Sequence, residues 1–344
     1  MNPRRLTISD LAKAAGVSVS TVNRVLRSPG NVRKHTREHV LATAEEIGFY
    51  GMGTLSRSVK SRRDTHRLGV LLHQGGRAFY RNVGSALRKE AQRHHQEPVD
   101  LTLEYLDDLS PDNVAARLTA LGKTCDAVAL VAAQHPKVAD AIDECFASGV
   151  PVLALIAPLT ARSNVSFVGL DAYSVGRTAA WAFDNIVREP GKIGILVGNH
   201  RYRNHELNES GFRSYFREHN AAFLPLEPEA TYESAAVARE KVEILFRNHP
   251  DLCGLFISGG GITGALAALA ETKRRDDFVA VGYELFDATR NALIDGTLKM
   301  VISHPLERLA REAVDTMIRL KKEGTDLGAL HRPLSFDVFT SENV

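Results

Sequence analysis

The chain has 344 residues, room for more than one domain with its own core, and the apolar and charged fractions of an ordinary soluble globular protein. No apolar run reaches the roughly 18 residues of a membrane span, and the basic start Met1-Asn2-Pro3-Arg4-Arg5 has no apolar segment behind it. Neither a membrane protein nor a secretory leader is expected. The net charge of +2 hides an asymmetry: residues 1–63 hold twelve Lys and Arg against four Asp and Glu, so that segment carries +8 and the remainder −6. A basic head on an acidic body points to a polyanion partner for the head alone. Cys125, Cys145 and Cys253 lie far apart without metal-ligand spacing. They read as buried structural thiols in a reducing cytoplasm, with no metal site and no disulfide framework.

Thr7 or Ser9 is placed to cap a short helix through Ala15, with Ile8, Leu11 and Ala12 on its apolar face. Gly16 supplies a tight turn, and Ser18 caps a second helix whose apolar stripe is Val22, Val25 and Leu26. Val19, Ser20, Thr21, Asn23 and Arg24 then fall on or near its outer face. A third helix, from about Lys34 to Ile47, buries Val40, Leu41, Ala44 and Ile47 before Gly48. Such a bundle is built to place its second helix in a DNA major groove.

The run from Thr7 to Leu26, Thr-Ile-Ser-Asp-Leu-Ala-Lys-Ala-Ala-Gly-Val-Ser-Val-Ser-Thr-Val-Asn-Arg-Val-Leu, closely resembles the helix-turn-helix of the LacI/GalR family of bacterial transcription regulators. The likeness continues through Val32, Thr36-Arg37-Glu38, Val40-Leu41 and Glu46-Ile47-Gly48-Phe49. The resemblance implies that Val19, Ser20 and Arg24 read bases, and that Thr7, Ser18, Thr21, Arg33 and Thr36 touch phosphates. The chemistry agrees, since Arg24 can fork to guanine while hydroxyls and Arg33 hold phosphates. Asn23 stands where the family usually has Ser. After the third helix the family carries a Pro-Asn pair and a hinge helix reading Leu-Ala-Arg-Ser-Leu. Here Phe49-Tyr50-Gly51-Met52-Gly53-Thr54 lacks the Pro-Asn, and Leu55-Ser56-Arg57-Ser58-Val59 follows. By the resemblance Leu55 and Val59 belong to a minor-groove hinge with Val59 at the wedge position, although Gly51 and Gly53 weaken local helix formation.

From Arg67 onward, short apolar runs alternate with amphipathic segments. Candidate strands are Leu68–Leu72, Leu101–Tyr105, Ala127–Val131, Val152–Ile156, Val165–Leu170, Ile193–Val197, Leu252–Ile257, Phe278–Val281 and Met300–Ser303, with a last strand-like segment at Pro333–Phe339. Helical stretches such as Val83–His95, Ser174–Arg188 and Glu233–Arg247 lie between them. The alternation predicts doubly wound parallel sheets, and so many strands favour two smaller sheets with a cleft between. That is also the type I periplasmic-binding-protein architecture the family resemblance implies. The expected organisation is an all-α head at 1–49, a linker at 50–66 and an α/β sensor at 67–344.

In open α/β sheets ligands sit beyond the C-terminal strand ends. Here those ends are His73-Gln74, Gln134-His135, Asp171, Asn199-His200, Ser258-Gly259, Glu284 and His304. The resemblance adds the aromatic pair Phe79-Tyr80, which in the family lies against a sugar ring, and marks Asp171 as a family aspartate. It places Glu284 where Asp is usual, His304 where Gln is usual, and Asn208 where an effector-binding Arg is frequent. The candidate effector set is therefore His73, Phe79, Tyr80, Gln134, Asp171, Asn208, Ser258, Glu284 and His304. Carboxylates, amides and rings of this kind suit a neutral sugar or polyol.

Two other readings compete. Gly259-x-Gly261-x-x-Gly264 follows a strand and opens a helix, and Glu284 ends the next strand, which is formally a dinucleotide-binding fingerprint and would imply an NAD-dependent oxidoreductase. It comes late in a longer strand–helix series, without a clear hydride-transfer site. A transport-type solute receptor shares the fold but would need a signal peptide and no helix-turn-helix. The sequence reading is a homodimeric repressor of double-stranded operator DNA, controlled by a small sugar or polyol, with no catalysis and no cofactor.

Overall fold

The computed structural model describes residues 6–27, 32–47, 49, 65–95, 97–324 and 328–344. The chain divides into two compact units, residues 1–65 with 96–98, and residues 66–95 with 99–344.

In the first unit α1 spans Ile8–Ala14, α2 Val19–Arg27 and α3 Lys34–Glu46. Thr7 is the cap of α1: its hydroxyl accepts from the Asp10 N–H at 3.3 Å, while Asp10 accepts from the Thr7 N–H at 2.8 Å. This reciprocal box satisfies two donors that a helix start leaves open. Gly16 turns the chain with φ +62°, in the left-handed region that favours glycine. Leu11, Val22, Val25, Val40 and Ala44 are fully buried and make a small core closed by Phe49. The expected hinge residues Leu55 and Val59, like Gly51 and Gly53, lie outside the described residues.

The second unit holds two α/β lobes. In the first lobe, strands β1 (His66–His73), β2 (Val99–Leu106), β3 (Ala127–Leu130), β4 (Val152–Leu155), β5 (Ser166–Leu170) and β12 (His331–Leu334) form one parallel sheet in the order β12-β5-β4-β3-β1-β2. Helices α4 (Ala78–Arg93), α5 (Pro111–Gly122), α6 (Pro136–Ala147) and α12 (Leu306–Glu323) belong to it. The second lobe contains β6 (Lys192–Val197), β7 (Leu224–Pro225), β8 (Glu229–Ala230), β9 (Leu252–Ile257), β10 (Val279–Tyr283), β11 (Met300–Ser303) and β13 (Asp337–Phe339). Their order is β13-β11-β10-β9-β6-β7, with β8 also on β6 and β13 antiparallel. Its helices are α7 (Ala172–Ile186), α8 (Arg203–His219), α9 (Ala235–Asn248), α10 (Ile262–Glu271) and α11 (Asp287–Ile294).

The nine apolar runs expected as strands are all strands; eight are buried on both faces as parallel sheets require, while Leu101–Tyr105, in edge strand β2, is only partly buried. The segment Pro333–Phe339 differs: it is two strands, β12 and β13, on the sheets of different lobes. The chain therefore passes between lobes at Asp171, at His304-Pro305 and at Ser335-Phe336. Phe212 anchors the second lobe's core, stacked on Phe256 at 4.9 Å and edge-on to Phe183 at 5.5 Å. All three cysteines are free and buried, and burial pushes the Cys145 and Cys253 thiols up to about 11.

Candidate functional site

On the first unit, the outer face of α2 carries the expected reading residues. Val19 is 45% exposed, Ser20 and Arg24 are exposed, and Thr21 and Asn23 are half-buried. The Ser18 hydroxyl lies 2.9 Å from those of both Ser20 and Thr21 and accepts from the Thr21 N–H at 3.2 Å, capping the helix. Thr7 and Arg33 are exposed and Thr36 is half-buried. A large apolar side chain left in water beside three hydroxyls and a guanidinium is a surface prepared for a partner.

In the second unit both sheets reverse their winding order, at β1/β3 and at β6/β9, which is where doubly wound sheets open a crevice. A cavity of about 340 Å³ lies there. The first lobe lines it with residues 76–81, Val131, Ile156 and Ala157; the second contributes Tyr202, Asn204, His205, Glu233, Ala235, residues 259–263, Tyr283, Glu284 and Phe286.

Of the nine expected effector residues, Phe79, Tyr80 and Glu284 line this cavity. The other six do not, and each has a physical reason. His73 is buried behind Tyr80, with ring centres 4.9 Å apart; its Nε2 lies 3.0 Å from the Val131 carbonyl and 3.4 Å from the Tyr202 hydroxyl. His304 is buried with Nδ1 2.5 Å from Glu284 Oε1, so it holds a lining residue from behind. Asn208 and Ser258 are fully buried: the Asn208 nitrogen donates to the Ala172 carbonyl at 2.7 Å, and its oxygen accepts from the Ser258 hydroxyl at 2.9 Å. Gln134 is spent on both backbone groups of Thr160 at 2.9 Å. Asp171 caps α7, accepting from the Ser174 N–H at 3.2 Å and hydroxyl at 2.6 Å.

Arg77 and Glu233, which pair across the cleft from opposite lobes, are not among the residues that the sequence points to. Glu233 was expected to open a helix, yet α9 begins at Ala235 with Ser234 as its cap. Glu233 instead follows the two-residue strand β8, too short to signal a strand end. Arg77 gave a fainter hint, following Gly75-Gly76 just beyond β1. Among the described residues four non-glycine ones have left-handed backbones: Ile156, Tyr232, Glu233 and Glu284, with φ between 50° and 69°. Three of them line the cavity, the pattern expected when a site's geometry overrides local preference.

Burial pushes Glu233 up, but the charges around it, the Arg77 guanidinium foremost, outweigh burial and hold the carboxyl below its ordinary range. Burial lowers His205 and brings His73 down to about 4, leaving both neutral near pH 7. The unfolded chain therefore binds the His73 proton more readily than the folded one. His73's contribution is complete above its ordinary value of 6.5 and is lost as pH falls from there to about 4. A depression of this size is worth up to about 3 kcal/mol. Urea midpoints should fall across that window, and His73→Gln should flatten the decline; identical slopes would remove His73 as the cause.

The glycines of the dinucleotide fingerprint serve packing. A Cβ on Gly259 would come 2.9 Å from Gly198 Cα, joining the ends of β9 and β6. On Gly264 it would come 2.9 Å from Ala235 Cα, where α10 crosses α9. Glu284, which that reading needed for a ribose, is bound to His304.

Residues 7–51 match the model for bacterial regulatory proteins of the lacI family, and residues 68–325 the model for a periplasmic binding protein domain. The ribose operon repressor of Bacillus subtilis is 26% identical, over 96% of this chain and 96% of its own. The HTH-type transcriptional regulator GalS of Salmonella typhimurium is 24% identical over 95% of this chain and 93% of its own. Among solved structures, the glucose-galactose binding protein GanP of Geobacillus stearothermophilus shares the fold with a TM-score of 0.74 at 16% identity, covering 82% of this chain and 99% of that one. Among the described residues no helix is long and apolar enough to cross a membrane. With a helix-turn-helix head before a periplasmic-binding-protein domain along nearly its whole length, the chain belongs to the lacI family of DNA-binding bacterial regulators.

Proposed function

We propose that this regulator is a repressor released by a small neutral sugar or polyol bound in the interlobe cleft. The observation that carries the reading is the cavity at the two winding reversals. It is walled by Phe79, Tyr80, Tyr202, Tyr283 and Phe286 and supplied with paired polar groups. Rings cover the apolar face of a sugar, while carboxylate, guanidinium and amide groups hold its hydroxyls. The related proteins named for ribose and for glucose-galactose support the same ligand class. Residues 1–49 are assigned to DNA, 50–66 to the hinge and 67–344 to sensing and dimerisation, with the protein working in the cytoplasm where the operator lies. It acts as a binding protein and not as an enzyme, in keeping with the packing role of the Gly259–Gly264 loop.

Val19, Ser20 and Arg24 read base edges, with Asn23 beside them, and Thr7, Ser18, Thr21, Arg33 and Thr36 hold the backbone. Leu55 and Val59 are assigned to the minor groove. Two heads in a homodimer then read two half-sites of an operator. Fluorescence anisotropy with operator DNA tests both halves of the reading. Arg24→Ala should lose about 1–3 kcal/mol on the operator and relax sequence choice, whereas Arg33→Ala should weaken all DNA and lower the salt slope by about one. Cleft ligands should shift operator affinity about 5- to 150-fold. Equal behaviour of the two variants would sink the role assignment, and operator affinity untouched by every sugar and polyol would sink the sensing assignment.

A further inference from the structure

Arg77 and Glu233 meet across the cleft, one from each lobe, through Arg77 Nη1 and Glu233 Oε2. The Arg77 guanidinium also stands 5.2 Å from the centre of the Tyr80 ring. Glu233 is held in place by its surroundings. A Cβ on Gly198 would come 2.7 Å from the Glu233 carboxyl carbon, and one on Gly260 would come 2.6 Å from it, so the carboxylate lies in a cradle only glycines allow. Tyr232 and Glu233 are both left-handed, with φ 50° and 62°, which commits the loop to this placement. Arg81, the other cation at the cavity, is exposed and turned back onto the Gly75 carbonyl at 3.2 Å. The second lining carboxylate, Glu284, is bound to His304. Asn204 Oδ1 is buried and has no hydrogen-bond partner among the described residues.

We propose that the Arg77–Glu233 pair sets the charge this cleft accepts: with Glu233 in place it takes uncharged polyhydroxy ligands, and without Glu233 it takes the corresponding acids. The proposal rests on the reading of the cleft as a polyol site and names what filters its ligands. A guanidinium has five N–H donors and a carboxylate two acceptor oxygens, so the joined pair offers both to a hydroxyl, which donates and accepts at once. A ligand carboxylate or phosphate brings only acceptors. It must compete for Arg77 with a carboxylate tethered beside it, an intramolecular competitor at high effective concentration. It also faces the Glu284 carboxylate, which repels it. Removing the Glu233 charge leaves Arg77 as an unmatched cation in the same cavity.

The test is isothermal titration of the full chain with matched sets: D-ribose, D-glucose and D-galactose, their aldonates and uronates, and their phosphate esters. In the wild type at least one neutral sugar should bind, and its acid forms should bind at least tenfold more weakly. Glu233→Gln should move that ratio at least tenfold toward the acids, while Glu233→Asp, which keeps the charge, should retain the neutral preference. Should Glu233→Gln fail to fold, the wild-type ratio and the Glu233→Asp protein decide. Acids binding the wild type as tightly as sugars, or a ratio unmoved by Glu233→Gln, would overturn the charge filter while leaving the polyol site standing. Silence of every sugar and acid on all proteins would overturn the polyol reading and the filter with it.

Discussion

His304→Leu should destabilise the sensor unit by about 3 kcal/mol, the upper end of the loss when a buried acceptor is left without its hydrogen-bond partner. His304 is 3% and Glu284 7% exposed, and their closest atoms lie 2.5 Å apart. Without the imidazole, the Glu284 carboxylate keeps only the Ser303 hydroxyl and the His304 N–H, each at 3.2 Å. A buried carboxylate so underserved is expensive, whereas two apolar groups of similar volume are not. The double variant Glu284→Met/His304→Leu should therefore regain at least half of the loss in urea denaturation. Both proteins should lose the cleft response, because Glu284 lines the cavity and His304 fixes its position. A single variant within about 1 kcal/mol of wild type would show that water or a rearranged neighbour replaces the histidine.

Gly176→Ala should cost about 3 kcal/mol, at the upper end of overpacking, because what the new methyl meets is backbone. An ideal Cβ would lie 2.8 Å from both the Asn208 carbonyl carbon and the Phe212 nitrogen on α8. The contact is reciprocal, since a Cβ on Gly211 would lie 2.9 Å from the Tyr173 carbonyl carbon on α7. Neither atom can swing aside as a side chain would, so the two helices must separate and loosen the Phe183–Phe212 contact below them. A fall of about 5 °C in melting temperature is expected for a unit of this size. Gly76→Ala, where a Cβ meets nothing within 4 Å, is the control and should stay within about 0.5 kcal/mol. Equal melting of the two variants would refute the close helix crossing.

Strands and helices were legible because parallel sheets need continuous apolar runs, and Leu252–Ile257 or Val152–Leu155 admit little else. The head was legible from Thr7, Gly16 and Ser18, whose cap and turn chemistry is local. The cleft was legible only in part. Strand ends identify a rim, and Asp171 and Gln134 are on it, but Asp171 serves the start of its own helix and Gln134 the backbone of Thr160. Nothing local distinguishes Asp171, which caps, from Glu284, which lines the cavity; the difference lies in His304, 20 residues away. Arg77 and Glu233 are separated by 156 residues, and only the tertiary fold brings that pair together.

The last stretch of the chain finishes both lobes. Helix α12 supplies Leu309, Val314 and Met317 to the first lobe's core, and β12 covers the free side of β5. On the ribosome, β1–β5 emerge long before that helix and strand exist. While residues 171–305 are being made, roughly 7–27 s at bacterial rates, the nascent sheet carries an open edge along Ser166–Leu170 and an uncovered apolar flank. Exposed edges and flanks of this kind invite association with neighbouring chains. The interval before the final forty residues follow is therefore the one in which this fold is most open to association with neighbouring chains.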